Sequence, residues 1–298
     1  MSDKYWNPEQ EYKKAKTESL NVPLLTTKED VEAYARKEAF TKMKAEVEDL
    51  PKPGSEHPYD SDGEPVDDRE AAMYAEYFDA EVISTLRARQ AVMDAAEKRV
   101  ADLIFNSTTW TGAPLTSVIT NEWDDFTNAT PIVDVAAAVK LVWAGSGLWP
   151  NALIINRRVF KNLKQCDDII AAIASSGAGF AARQADITEA QLAAVFDLDM
   201  IIVAGTPKNT ADAGQAATIA PIWSDEYAMV AKVSVSQDIR EPCLGRMFHW
   251  GGDGSSVGGT VESYRDETVR ADIIRYRHDV DEKVLLTEAG HLLSNVTT

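Results

Sequence analysis

Side chains suited to metal and redox chemistry are scarce in this sequence. Among 298 residues there are two cysteines and four histidines. Cys166 and Cys243 lie far apart with no C-x-x-C spacing, which reads as free thiols in a reducing compartment rather than a disulfide framework. His57, His249, His278 and His291 show neither H-E-x-x-H nor any other paired-ligand spacing, so no zinc site is indicated. Long apolar runs are missing too. Nothing nears the ~20 apolar residues of a membrane-spanning helix, and "MSDKYWNPEQEYKK" lacks the apolar segment of a secretory leader. The sequence therefore predicts a soluble protein made in the cytoplasm and away from membranes. Positive charge is the last shortage. Lys and Arg number 30 against 48 Asp and Glu, a net charge of −18. Such a surface repels phosphate backbones and argues against nucleic-acid binding driven by Lys and Arg.

What remains is ordinary globular material, 45% apolar and 26% charged, in a chain long enough to bury a substantial core. Residues 1–38 are charged and helix-compatible, with Tyr5, Trp6 and Tyr12 set among lysines and glutamates. Aromatics on a polar arm have little local core to join, so they pack either on the parent domain or on a neighbour. "TKMKAEVED" alternates apolar and charged residues with the period of a half-exposed strand, although Phe40, Met43 and Val47 also fit a helix face. The proline-rich acidic stretch "LPKPGSEHPYDSDGEPVDD" reads as an exposed excursion with turns, not a core element. Within it "DSDGEPVDD" resembles a calcium loop, but Gly63 falls at the fourth position where an EF-hand needs it at the sixth.

From Asp67 to Phe105 there is no Gly or Pro. Phe78, Val82, Leu86, Met93, Ala96, Val100 and Leu103 recur at helical spacing, and Asp67 or Asp68 is placed to cap the start. The pattern predicts one very long helix, a spine, with those residues as its buried stripe and a sheet lying along it. Residues 131–240 then alternate helix and strand: a helix over "IVDVAAAVKLVWAG", a strand "NALIIN", a helix after it, a helix starting at Ile187-Thr188-Glu189, a strand "MIIVAG", and a strand pair in "APIWSDEYAMVAKVS". This is a small α/β block with a mixed sheet. The chain closes on "DETVRADIIRYRHDVDEKVLLTEAGHLL", whose Leu285, Leu286, Ala289, Leu292, Leu293 and Val296 are too apolar for a frayed tail.

No catalytic constellation emerges. "HWGGDGSSVGG" (249–259) invites a phosphate-loop reading, but such a loop needs a helix start after it, and "TVESYRDE" is strand-like. There is no G-x-S-x-G elbow. Cys166 sits beside Asp167 and Asp168, whose charges disfavour its thiolate.

The order of blocks from residue 66 onward carries a resemblance: the long helix closing on "AAEKRVADLIFN", then "VAAAVKLVW", "PNALIINRRVFKNLKQCDDI", "ITEAQLAAVFDLDMIIVAG", "IWSDEYAMV" and "YRDETVRADIIRYRHDVDEKVLLTEAGHLLSNV". It resembles the major capsid proteins of tailed bacteriophages, with the Hong Kong 97-type shell fold. The resemblance implies an α+β protein in four parts: an N-terminal arm (1–38), an extended loop (39–66), a peripheral domain with the spine helix and C-terminal strands (67–130 and 241–298), and an axial α/β domain (131–240). It implies no enzyme activity and no cofactor or metal. The partners implied are copies of the chain in hexamers and pentamers of an icosahedral shell, with scaffold, portal and decoration proteins as further candidates. Double-stranded DNA would be enclosed without sequence-specific binding, in a virion assembled in the host bacterial cytoplasm. Tyr5, Trp6 and Tyr12 on the arm, and Arg265, Asp266, Arg270, Arg275 and Arg277 near the C-terminus, are the candidate subunit contacts. The resemblance also has the last strands returning beside the spine, which would account for the apolar C-terminus. Two rivals stand beside it: a small-molecule enzyme or binding protein using the 249–259 loop, and a different virion or scaffold component forming rings or tubes.

Overall fold

The structure, a computed structural model, describes residues 60–67, 73, 79–175, 187–211, 215–251 and 256–297. The expectations for residues 1–38 and for "TKMKAEVED" fall outside these. In chain order the elements are β1 (Asp60–Asp67), α1 (Ala80–Ile104), β2 (Thr116–Val118), α2 (Pro131–Ser146), β3 (Ala152–Asn156), α3 (Arg157–Leu163), α4 (Asp167–Ser175), α5 (Glu189–Val195), β4 (Met200–Ala204), β5 (Pro207–Asn209), β6 (Ile219–Pro221), β7 (Ala228–Ala231), β8 (Gly245–His249), β9 (Thr260–Asp266), β10 (Ala271–His278), β11 (Val280–Val284) and β12 (Gly290–Ser294).

The centre is a five-stranded mixed sheet in the order β2-β12-β7-β3-β4. β3 is buried along its whole length, which suits a central strand covered on both faces. Leu153 and Ile155 join one core with Trp123, Val135, Val139, Ile169 and Leu192 from the covering helices. Ile154, one residue out of phase, joins the opposite core with Trp110, Trp223, Met229 and Leu292. Local signals set the helices. Thr188 and Gln191 form a reciprocal capping box at the start of α5, and α2 ends where Gly147 takes a left-handed φ of 69°.

Strand β12 answers why the chain ends on apolar residues. It pairs antiparallel with β7 and parallel with β2, in mid-sheet. Leu285, Leu286, Ala289, Leu292, Leu293 and Val296 are all buried, and each buried leucine contributes about 1.5–3 kcal/mol relative to exposure. The expected position differs, however. β10 and β11 lie beside the spine, but β12 and β2, both outside residues 131–240, complete the sheet of the α/β block. β6 and β7 do form from "APIWSDEYAMVAKVS", yet they pair with β5 and with β12 and β3 respectively, not with each other.

The acidic stretch also departs from expectation. Residues 60–67 are not an exposed turn but strand β1, paired antiparallel with β10 at the edge of the sheet β1-β10-β9. Two residues that read as breakers are accommodated by that position. Pro65 is tolerable because an edge strand leaves backbone donors unused. Gly63 admits the neighbouring strand closely, since a Cβ there would lie 3.2 Å from Ile273 Cγ2.

The spine α1 is 25 residues long, about 37 Å at 1.5 Å per residue. Its cap is Asp79, whose carboxylate accepts from the Glu81 and Val82 amides. Asp67, expected as a cap, is in β1. The buried stripe is also different: Ser84, Ala88, Val92 and Ala96, four residues apart, with Ala101 beyond. Ala88 and Val92 pack on Tyr276 of β10. Small residues are needed there because an aromatic ring from the sheet occupies the interlayer space. Val82, Leu86 and Met93 point away, Leu86 at 58% exposure.

Candidate assembly surfaces

Arg265, Asp266 and Arg270 are gathered at the β9–β10 hairpin. Asp266 ends β9 and accepts a hydrogen bond from the Thr268 amide at 2.8 Å, and its hydrogen bonds to Thr268 hold its carboxyl below the usual range. Arg270 is exposed and closes the turn with a positive φ of 54°. Arg265 reaches across the strands to Asp272 (3.4 Å) and along the turn to Glu267 (3.5 Å). Arg275 and Arg277 both engage Glu262 on β9, and Arg277 also meets Asp279 at 3.2 Å. Arg265, Arg275 and Arg277 are thus held by carboxylates of their own sheet region. The fixed array can set register against another surface, because ordered opposite charges add specificity more than affinity. Tyr5, Trp6 and Tyr12 lie outside the described residues.

The 249–259 segment is tied down on its C-terminal side. Tyr276 donates its hydroxyl to the Gly258 carbonyl, and His278 Nε2 lies 3.2 Å from the Val257 carbonyl. Gly259 has φ of +84°, and a Cβ there would collide with the Tyr276 hydroxyl. The next element is β9, a strand, and among the described residues no α-helix follows the segment. His249 ends β8, and His291 is buried between the Pro114 carbonyl (3.0 Å) and Ser117 Oγ (2.8 Å). Among the described residues, no group of three or more His, Cys, Asp or Glu is arranged to hold a metal ion. No described helix is long and apolar enough to cross a membrane.

Both cysteines are free and buried. Burial pushes the Cys166 thiol up to about 12, with Asp168 and Asp167 adding to it, which removes it as a nucleophile at neutral pH. A cavity of about 280 Å³ lies between the end of α1 and strands β8 and β11. Val100, Leu103, Leu244, Met247 and Val284 line it, with Glu282 and Lys283 also present. Glu282 is held by a two-point ion pair from Arg99 of the spine. A second tie comes from Glu97, which accepts from Trp223 Nε1 at 2.8 Å. Together they fix the spine to both the β8–β11 ribbon and the α/β block.

Sequence reasoning missed a different surface. α2 carries only two charges, Asp134 and Lys140. Asp134 is turned inward to Trp123 Nε1, and burial raises its carboxyl pKa against that hydrogen bond. The outer side of α2 presents Val133, Ala137, Lys140 and Trp143, and Trp149 follows it, the two tryptophans 46% and 54% exposed. A helix apolar on every side is ordinarily covered. That composition was visible in "IVDVAAAVKLVWAG" and could have flagged the surface.

The arrangement of spine, peripheral strands and helix-covered mixed sheet is an α+β architecture of the Hong Kong 97 type. The chain is similar to a phage-related protein from Bordetella bronchiseptica, with a TM-score of 0.64 and 18% identity over 87% of this chain and 84% of that one. More distant likenesses are to a virus-like particle from Pyrococcus furiosus (TM-score 0.48, 14% identity, 80% and 77% coverage) and to a putative prophage capsid protein from E. coli (0.45, 12%, 80% and 77%). No family model and no curated protein matches the sequence.

Proposed function

We propose that this chain is the major capsid protein of a tailed phage or prophage, which assembles with copies of itself into the icosahedral shell around a double-stranded DNA genome. The observation that carries the reading is the shared fold with the phage-related Bordetella protein across 87% of the chain. The role is structural, not catalytic. Hexamers and pentamers are the building units, and scaffold, portal and decoration proteins are the further partners. The site of action is the virion, assembled in the host cytoplasm.

Several properties support this role. A spine pinned at Glu97 and Arg99 gives a stiff plate that can be tiled. We assign residues 1–38 and 39–66 as arm and extended loop, and 67–130 without β2, together with 241–289, as the peripheral domain. The axial domain is 131–240 with β2 and β12 added to its sheet. Tyr5, Trp6 and Tyr12, and the charged set Arg265, Asp266, Arg270, Arg275 and Arg277, are assigned to contacts between copies. A net charge of −18 keeps densely packed DNA from adhering to the shell wall. Expression of the chain alone and with its neighbouring phage genes, followed by electron microscopy, tests the proposal. Closed shells or isolated pentamers and hexamers are expected. A protein that stays monomeric under both conditions would overturn it.

A further inference from the structure

The parallel pairing of β3 with β4 gives the α/β block two chemically different ends. In this register Ala152 stands opposite Met200 and Asn156 opposite Ala204. Whatever precedes residues 152 and 200 is therefore at one end, and whatever follows 156 and 204 is at the other. Five residues of strand separate them, roughly 16 Å.

The first end is aromatic and acidic. Trp149 stands two residues before the Asn151 carbonyl, which accepts from the Asp199 and Met200 amides. Trp143 is one helical turn before Gly147, whose amide it receives. Asp197 and Asp199 are both exposed, Asp197 at a φ of 56° that a short acidic side chain tolerates. The second end carries exposed cations on α3, beside Asp225 and Glu226 that precede β7. α3 starts at Arg157 directly after β3, and Arg157 and Lys161, one turn apart, are both exposed. Gly205 at the end of β4 leaves room for Arg157 to lie across it, since a Cβ there would sit 3.4 Å from Arg157 Cδ. Among the described residues, neither Arg157 nor Lys161 and neither Asp197 nor Asp199 has an ion-pair partner in the subunit, whereas Arg158 is taken by Asp225. Free cations at one end of a chain of net charge −18 face the opposite sign at the other.

From this juxtaposition we infer that the basic end of one copy docks on the aromatic–acidic end of the next, Arg157 and Lys161 meeting Asp197, Asp199 and the exposed faces of Trp143 and Trp149. The occupant is a second copy of this chain, chosen by charge complementarity. Guanidinium and ammonium groups pair with carboxylates and also stack on indole faces, and Trp and Arg are the side chains that most often dominate interface energies. Two different patches in contact make a head-to-tail interface. Repeated around an axis, it closes a ring. The inference rests on the shell-forming reading above and names the surface by which copies meet within a ring.

Charge reversal tests it on the full chain. Arg157→Glu with Lys161→Glu makes both ends acidic. Asp199→Lys with Asp197→Asn, which keeps a residue suited to the left-handed turn, makes the opposite end basic. Each variant should keep the wild-type circular dichroism and melting temperature but lose rings and shells in sedimentation velocity and electron microscopy. Combining all four substitutions in one chain should restore assembly, because the ends are again complementary. Mixing the two single-end variants should also restore it, and only in even-membered rings, since the copies must alternate. If wild type assembles and the folded variants assemble equally well, the interface lies elsewhere and this inference fails while the capsid reading stands. If the variants lose assembly but neither the combination nor the mixture restores it, complementarity between these ends is not the cause. If wild type forms no multimer, both readings fall together.

Discussion

Among single residues, His291 carries a specific consequence. It is wholly buried in β12, with both ring nitrogens engaged by Pro114 and Ser117 across the β12–β2 junction. Burial lowers its pKa below the usual 6.5, opposed by the hydrogen bond to the Pro114 carbonyl. Because the folded-state pKa is depressed, the unfolded chain takes up this proton first as pH falls. Stability is therefore full above about 6.5 and declines below it until the folded-state pKa is reached. Melting temperatures of wild type should drop between pH 7.5 and pH 5, and His291→Gln should show a shallower drop, though with a lower starting stability. Equal slopes in the two proteins would mean that His291 is not the group responsible. The carboxylates held below their usual range, Asp125, Glu241 and Asp266, lose their contribution only at more acid pH, so they do not obscure this window.

At the level of elements, the spine separates two ways of placing an apolar residue. Val92 is buried against β10, whereas Leu86 is 58% exposed. Val92→Asp leaves a carboxylate without a partner between helix and sheet and should cost several kcal/mol, enough to unfold a marginal domain. Leu86→Asp should change folding stability by no more than about 0.5 kcal/mol, as at other exposed sites. Soluble yield and chemical denaturation of the two variants check this, and a Leu86→Asp protein that unfolds would contradict the packing described. The helix itself was legible in the sequence, because absence of Gly and Pro and a 3.6-residue period are local signals. Its buried side was not. The largest apolar residues suggested a stripe through Leu86, but the partner is the bulky Tyr276 ring, which selects Ala88 and Val92. Strand β1 was missed for a related reason. Gly63 and Pro65 break a strand by propensity, and only pairing with β10 makes them acceptable. β3, α2, α5 and β4 were read correctly because their apolar runs and caps are self-contained. The position of β12 depends on pairing with β7 and β2, which no local pattern encodes. Of the surfaces, the charged C-terminal stretch was visible. The complementary ends of the α/β block were not, because they exist only once β3 and β4 are in parallel register.

For the whole molecule, the question is whether the basic patch on α3 makes it a DNA-binding protein despite its overall charge. α3 and the residue after it carry Arg157, Arg158, Lys161 and Lys164, of which Arg158 is engaged with Asp225. That leaves about three cations to neutralise phosphates, against the 6–10 contacts of a protein that binds duplex DNA firmly. Each contact contributes a salt slope of about −0.9, so three give about −2.7, and a fourfold rise in salt removes roughly a factor of forty from an already weak association. The remaining field works in the same direction, since the chain carries 18 net negative charges and repels the duplex beyond the patch. Isolated subunits should therefore show no shift of a duplex probe at physiological salt, and any retardation at low salt should follow a slope no steeper than about −3. A steeper slope would mean that more cations reach phosphate than the described surface presents. It would assign Arg157 and Lys161 to nucleic acid and not to the contact between copies.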